Sequence, residues 1–224
     1  MDVAVSARAA WALRIREAPC PPVTLGVLTD RAGLDTALAL ADGMTAPLSE
    51  AVLLLDAEAA PDIALPPRTR LHARSLGGDF GTQRTALQRL AACPWVLQLD
   101  TDETVQPEIL RRLGGFVRAA ERDGIAALGL PRRNLVDGAQ SDHYPDPQYR
   151  LCRRTVAYEG KVHERPRLLS PARQSRLALG LRIDHRLNGA RVRARTARYD
   201  AMSEGATDTA RRGDERALLT PFRP

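Results

Sequence analysis

Apolar residues along this chain follow two alternating rhythms, short unbroken runs and longer stretches at helical spacing. Val23 to Thr29 is β-branched and apolar and ends at Asp30, and Ala51 to Leu55 is a second such run, ending at Asp56. Trp95 to Leu99, interrupted only by Gln98, is a third and runs into Asp100. Apolar runs of this length, closed by polar residues, predict buried strands. Between them Leu34 to Ala41 has helical composition and stops at Gly43. Asp79 caps a further helix that sets Ala86, Leu87 and Leu90 on one face. Ile109, Leu110, Leu113, Phe116, Val117 and Ala120 recur at helical spacing in a helix that begins near Pro107, the clearest amphipathic signal in the sequence. Short strands are expected around Arg70 to Ala73 and over Ala126 to Leu130. Alternating strands and helices imply parallel pairing through helical crossovers, so the pattern predicts an α/β fold with a mostly parallel central sheet and flanking helices.

Beyond Pro131 the texture changes to short extended pieces rich in Arg, His, Tyr and Pro. Leu177 to Ile183 alternates enough to be a strand, followed by Asp184-His185, and Ala190 to Glu204 has the composition of a helix carrying Arg191, Arg195 and Arg198. The expected organisation is a lead-in over residues 1–22, one domain over 23–204 with a change of character near 131, and a polar tail over 205–224. At 224 residues a single α/β domain with a substantial core is the simplest reading.

Composition adds charge to this picture. Thirty-three Lys and Arg stand against 27 Asp and Glu, a net charge of +6, and most of the cations are Arg, which suits bidentate contact with phosphate. Nucleotides, nucleic acid and anionic membrane surfaces all remain partners on this ground. Cys20, Cys93 and Cys152 are few and far apart, without a C-x-x-C pair, which points to a reducing compartment and away from a zinc site. No stretch reads as a signal peptide or a membrane span, so a cytoplasmic protein is expected, with peripheral contact at a membrane face.

The chemistry concentrates where the third strand ends. Asp100, Asp102 and Glu103 place three carboxylates within four residues, at the position where open α/β sheets bind ligands. Asp100 and Asp102 share a face of an extended chain, and two close carboxylates repel unless a cation lies between them. A hard divalent ion, Mg or Mn, is the natural partner of such oxygens. The alternative is a solvated acidic turn, with Glu103 and Glu108 favouring the N-terminal end of the following helix.

Gln83-Arg84-Thr85-Ala86-Leu87, Leu99 to Glu103, Arg132 to Gly138, Tyr144 to Arg154 and Gly160 to Glu164, followed by His185 and by a basic helix ending in Tyr199, occur in a specific order. In that order they resemble glycosyltransferase family 2, the inverting GT-A enzymes, especially the bacterial enzymes that add sugars to the lipopolysaccharide core. The resemblance spans about residues 23 to 200. It implies a GT-A fold with a nucleotide-sugar-binding half (23–131) and an acceptor half (132–204), a nucleotide-sugar donor, and a saccharide or lipid-linked acceptor. It further implies Asp102, Asp100 and His185 as metal ligands, and Asp30, Asp56, Arg84, Asp100, Gln148, Arg150 and His163 as substrate contacts. Glu164 is the expected general base, its pKa raised by partial burial or by the neighbouring acids, with Asp146 in reserve. The departures are Thr29-Asp30-Arg31 where the family has an Asn-Glu pair, Thr85 in place of Asn, and Cys152 in place of Phe; they bear on the donor nucleotide. A non-catalytic nucleotide- or nucleic-acid-binding module is the alternative, although carboxylates beside Asp102 repel a polyanion and no nucleic-acid partner is expected.

Overall fold

The computed structural model describes residues 21–44, 48–161, 164–190, 192 and 217–221. In chain order its strands are β1 (Val23–Thr29), β2 (Leu48–Leu55), β3 (Thr69–Ala73), β4 (Trp95–Asp100), β5 (Glu103–Thr104), β6 (Ala127–Val136), β7 (Ala139–Gln140), β8 (Asp146–Arg153), β9 (Tyr158–Glu159), β10 (Arg165–Pro166), β11 (Ser175–Leu177) and β12 (Ile183–Leu187). The helices are α1 (Leu34–Asp42), α2 (Phe80–Leu90), α3 (Pro107–Leu110), α4 (Leu113–Arg122) and α5 (Pro171–Gln174).

All strands except β9 and β10 join one large sheet of order β3-β2-β1-β4-β8-β6-β12-β5, with β7 and β11 also paired to β6. β3, β2, β1 and β4 pair in parallel, where the apolar runs predicted it, and β11 and β12 pair in parallel with β6. The side chains of β1, β4 and most of β2 are buried on both faces, while β3 is the half-exposed edge. Val23, Leu25, Val27, Leu53, Trp95 and Leu97 pack against α1, α3 and α4, while Val52, Leu54 and Val96 pack against Leu87 of α2. Gly26 belongs to this close approach: a Cβ there would sit 2.2 Å from Leu87 Cδ2.

The sheet is mixed: the parallel ladders expected from the sequence are joined by antiparallel ones. β8 runs antiparallel to both β4 and β6, and β5 antiparallel to β12. The cause is chain length: residues 137–145 are too few for a crossover of about a dozen residues, so the chain returns antiparallel to β6. A correction concerns Pro131, which does not end the strand that precedes it. On one side β6 pairs with β11 over 127–129 and with β12 over 132–136, so Pro131 falls between the two ladders, and on the other it faces Pro147. A missing N–H is harmless at that position.

The predicted strand from Leu177 to Ile183 is instead two strands, β11 and β12, around a turn. Ala178 and Leu181 are buried there, and Arg112 Nη1 donates to Gly180 O at 3.3 Å. The helix expected from Pro107 is broken at Arg111 and Arg112 into α3 and α4, yet Leu110, Leu113, Phe116, Val117 and Ala120 still share one buried face. Most of the expected helix from Ala190 to Glu204, including Arg191, Arg195 and Arg198, lies outside the described residues, as does His163. Residues 217–221 differ from a frayed end: Leu218 packs with Leu187 and Val192, and Pro221 bridges Ser141.

Candidate functional site

The parallel strands β2, β1 and β4 end together, since Thr29 is registered with Leu55 and Leu28 with Asp100. Asp56, Asp30 and Asp100 therefore lie along one carboxyl edge of the sheet, the position at which α/β folds bind ligands. Asp30 accepts from Gly33 N at 2.8 Å and Asp56 from Leu76 N at 2.8 Å, so both carboxylates shape the loops that follow their strands. Neither is joined by a hydrogen bond or ion pair to the acids of β4 among the described residues.

Asp100 belongs to a buried network of three guanidinium groups and four carboxylates. Arg84 of α2, only 3% exposed, spans two of them: Nη2 donates to Asp100 Oδ1 and Oδ2 at 2.8 and 3.0 Å, and Nε donates to Glu164 Oε1. Arg150 of β8 donates through Nη2 to Asp100 Oδ2 at 2.5 Å and, as a fork, to both oxygens of Glu103 at 3.0 Å. Its Nη1 lies 3.5 Å from Glu164 Oε1. Arg132 of β6 donates to Asp146 Oδ2 at 2.6 and 2.8 Å and to Glu103 Oε1 at 3.1 Å. Charged groups are buried this completely only when paired, and here each pairing is bidentate or shared.

Each partner reaches the network by a local route. Gly160 and Lys161 dock on the first turn of α2, with Phe80 N and Gly81 N donating to Lys161 O and Gly160 O at 3.1 Å. Thr85, one turn further, accepts from Tyr158 N at 2.8 Å, and its hydroxyl also bonds Gly81 O. This anchorage delivers Glu164 to Arg84. Thr85 thus has a structural role at the position where the resembled family carries Asn. Cys152 is buried beside the Tyr158 hydroxyl, and burial pushes its thiol up to about 12, which leaves it inert at neutral pH.

A second strand-borne row continues the site. Asp146, Gln148 and Arg150 alternate along β8, and Gln148 Nε2 donates to Asp146 Oδ1 at 2.6 Å. Asn134 of β6 is wholly buried; its Nδ2 donates to Asp146 Oδ2 and to His143 O, both at 3.2 Å. Its Oδ1 can only accept, so His185 Nδ1, 2.7 Å away, carries the proton. The other ring nitrogen, Nε2, lies 3.4 Å from Asp102 Oδ2.

Burial works against ionisation of these acids, and the cations outweigh it. Arg150 and Arg84 hold Asp100 well below the usual carboxylate range; His143, Arg132 and Asn134 do the same for Asp146. Glu164 is also lowered, since burial is overcome by Arg84 and Arg150. That reverses the raised basicity expected of it, because the counter-charges come from Arg84 and Arg150 and not from the nearer-in-sequence Lys161 and Arg165.

The structure brings together Arg84, Asp100, Asp146, Gln148, Arg150 and Glu164, with Asp102 and His185 alongside. Sequence reasoning missed Glu103, Gln98, Arg132 and Asn134 as site residues. Glu103 is fully buried in β5 and does not serve the helix that follows; Gln98 accepts from Arg84 Nη1 at 3.3 Å. The polar alternation Arg132–Asn134 and Asp146–Gln148–Arg150 was the available signal, since period two keeps each set on one face of its strand, with Arg132 registered opposite Asp146. Among the described residues no group of three or more His, Cys, Asp or Glu is arranged to hold a metal ion. Comparison of the chain with protein-family models and with curated proteins finds no match.

Proposed function

We propose that this chain is an inverting glycosyltransferase of GT-A type that moves a sugar from a nucleotide donor to a saccharide or lipid-linked acceptor, as in cell-envelope polysaccharide synthesis. The observation that carries the reading is the meeting of Arg84, Asp100, Arg150 and Glu164 at the carboxyl end of β4. These residues come from four motifs spread over eighty positions. A structural ion-pair cluster does not need to lie at the ligand-binding edge of a parallel sheet; a phosphate-handling site does.

Two guanidinium forks aimed at Asp100 suit two oxygens of a diphosphate equally well, so the donor competes for Arg84 and Arg150. Drawing them toward the diphosphate loosens their hold on Glu164 and raises its basicity when the acceptor is present. Glu164 then takes the acceptor hydroxyl's proton as that oxygen bonds to the anomeric carbon and the carbon–diphosphate bond breaks, inverting the centre. Asp146, gripped on both oxygens, positions the acceptor. Asp102 and His185, 3.4 Å apart, would be the residues to hold a divalent cation such as Mg or Mn together with oxygens of the donor. Such an ion, when bound, neutralises charge on the departing diphosphate.

A thermal-shift panel of nucleotide sugars, with and without Mn, tests the reading. A ligand at a hundred times its Kd stabilises by about 2.7 kcal/mol. For a domain of this size that is a rise of roughly 5–10 °C in Tm. Absence of any shift across the panel, together with steeply salt-dependent binding of oligonucleotides, would replace it with a nucleic-acid-binding module.

A further inference from the structure

Residues 165–183 carry five arginines and no carboxylate, in a protein whose acids otherwise nearly balance its bases. Arg165, Arg167 and Arg173 are exposed, and none forms an ion pair among the described residues. Between them, in the loop from β10 to α5, sits Leu169, whose exposure is 100%. Glu159 stands opposite Arg165 in the β9–β10 pair, which leaves Arg167 and Arg173 as the cations nearest the leucine in sequence; a lone surface leucine needs no explanation, but one held fully outward between two arginines is a different arrangement.

The loop is built to hold it there. Leu168 turns inward against the cluster of Ala127, Cys152, Val156 and Tyr158. Arg167 N donates to Ala157 O at 2.8 Å on one side of the leucine pair. On the other, Ser170 N donates to Gln174 Oε1 at 2.9 Å, while Arg173 N and Gln174 N donate to Ser170 O at 2.9 and 2.8 Å. With both flanks tied, Leu169 is held between Arg167, two residues before it, and Arg173, four residues after it. Leu179, 43% exposed, adds apolar surface in the same acid-free segment.

We propose that this loop seats the protein on an anionic lipid bilayer, Leu169 entering the headgroup layer and the arginines meeting lipid phosphates. The chemistry of the two parts matches the two layers of such a surface: apolar contact below, negative charge above. A polyanion in solution would use the arginines and leave Leu169 without a partner. No helix among the described residues is long and apolar enough to cross a membrane, so the contact is at the surface. The proposal goes beyond the transferase reading and does not need it, because vesicle binding is measured without donor or acceptor.

The test is co-sedimentation of the full chain with vesicles of phosphatidylcholine alone or with phosphatidylglycerol added. The wild type should partition onto the anionic vesicles at low salt, less at high salt, and not onto the neutral ones. Each arginine near the surface is worth about a fivefold change in partition, so Arg167→Gln with Arg173→Gln should lower it by about 25-fold. Leu169→Asp should lower it comparably with Tm unchanged, since the side chain touches nothing in the fold. Unchanged partition of both variants, no binding of the wild type at low salt, or an oligonucleotide bound more tightly than the vesicles and indifferent to Leu169→Asp, would each overturn the proposal.

Discussion

Arg150 contacts three carboxylates at once, and one of them, Glu103, has no exposed surface. Replacing Arg150 by Met leaves Glu103 with Arg132 alone and Asp100 with Arg84 alone. Breaking a buried pair from one side costs about 3–5 kcal/mol, so Arg150→Met should lose that much in urea unfolding; a loss under about 1 kcal/mol would mean the cluster is solvated. Glu164 and Asp146 separate by how fully their oxygens are used. Both oxygens of Asp146 accept hydrogen bonds, from Arg132, Asn134 and Gln148, whereas Glu164 accepts its bonds from Arg84 and Arg150 on Oε1 alone among the described residues. Glu164→Gln should therefore keep donor affinity and lose transfer by about 10²-fold or more. Asp146→Asn should act on the apparent affinity for acceptor. Turnover near normal in the first variant and abolished in the second would exchange the two roles. The acids at the end of β4 were legible because a polar cluster stops an apolar run abruptly. Arg84 and Arg150 were named as substrate contacts through the resemblance, but their pairing with these acids was not legible, because partners up to 50 and 80 positions apart leave no local trace.

Among the elements, α2 holds the segment from Tyr158 to Lys161 that leads to Glu164. A Cβ on Gly81 would lie 2.8 Å from Gly160 O and 3.0 Å from Glu159 C, both backbone atoms that cannot turn aside. Gly81→Ala should push α2 from β9, costing about 1–3 kcal/mol as overpacking does, and should loosen Glu164 with it. Thermal unfolding and donor titration together check this: an unaltered Tm would show that the contact yields freely. β1, β2, β4, α1 and α2 were readable in the sequence because burial on both faces writes a continuous apolar run, and because Asp79 does cap α2, accepting from Thr82 N at 2.8 Å. β5, β6 and β12 were not readable at their true lengths. Glu103, Arg132, Asn134 and His185 are polar residues buried by partners from other strands, so their burial is decided by tertiary pairing and not by hydropathy.

For the whole molecule, several buried acids share one pH response. Burial would raise Asp146, Glu164 and Asp184, yet their arginine partners hold all three below their ordinary values. Depressed carboxylates contribute stability that is complete above their unfolded pKa, about 4, and is lost as pH falls through the folded values. Urea midpoints should stay level from neutral pH to about 5 and decline steadily below about 4. A midpoint that rises on acidification would contradict the pairing. The central place of β8 in the sheet has a consequence for the order in which the chain is made. β4 leaves the ribosome some fifty residues before Arg150, so Trp95, Val96 and Leu97 wait as an open edge, and Asp100 and Glu103 wait for the guanidinium that joins them. Strand edges in that condition recruit other chains. Nascent or truncated forms ending before residue 146 should accumulate as aggregates, and solubility should return abruptly, not gradually, once synthesis passes Arg153 and the gap in the sheet is filled.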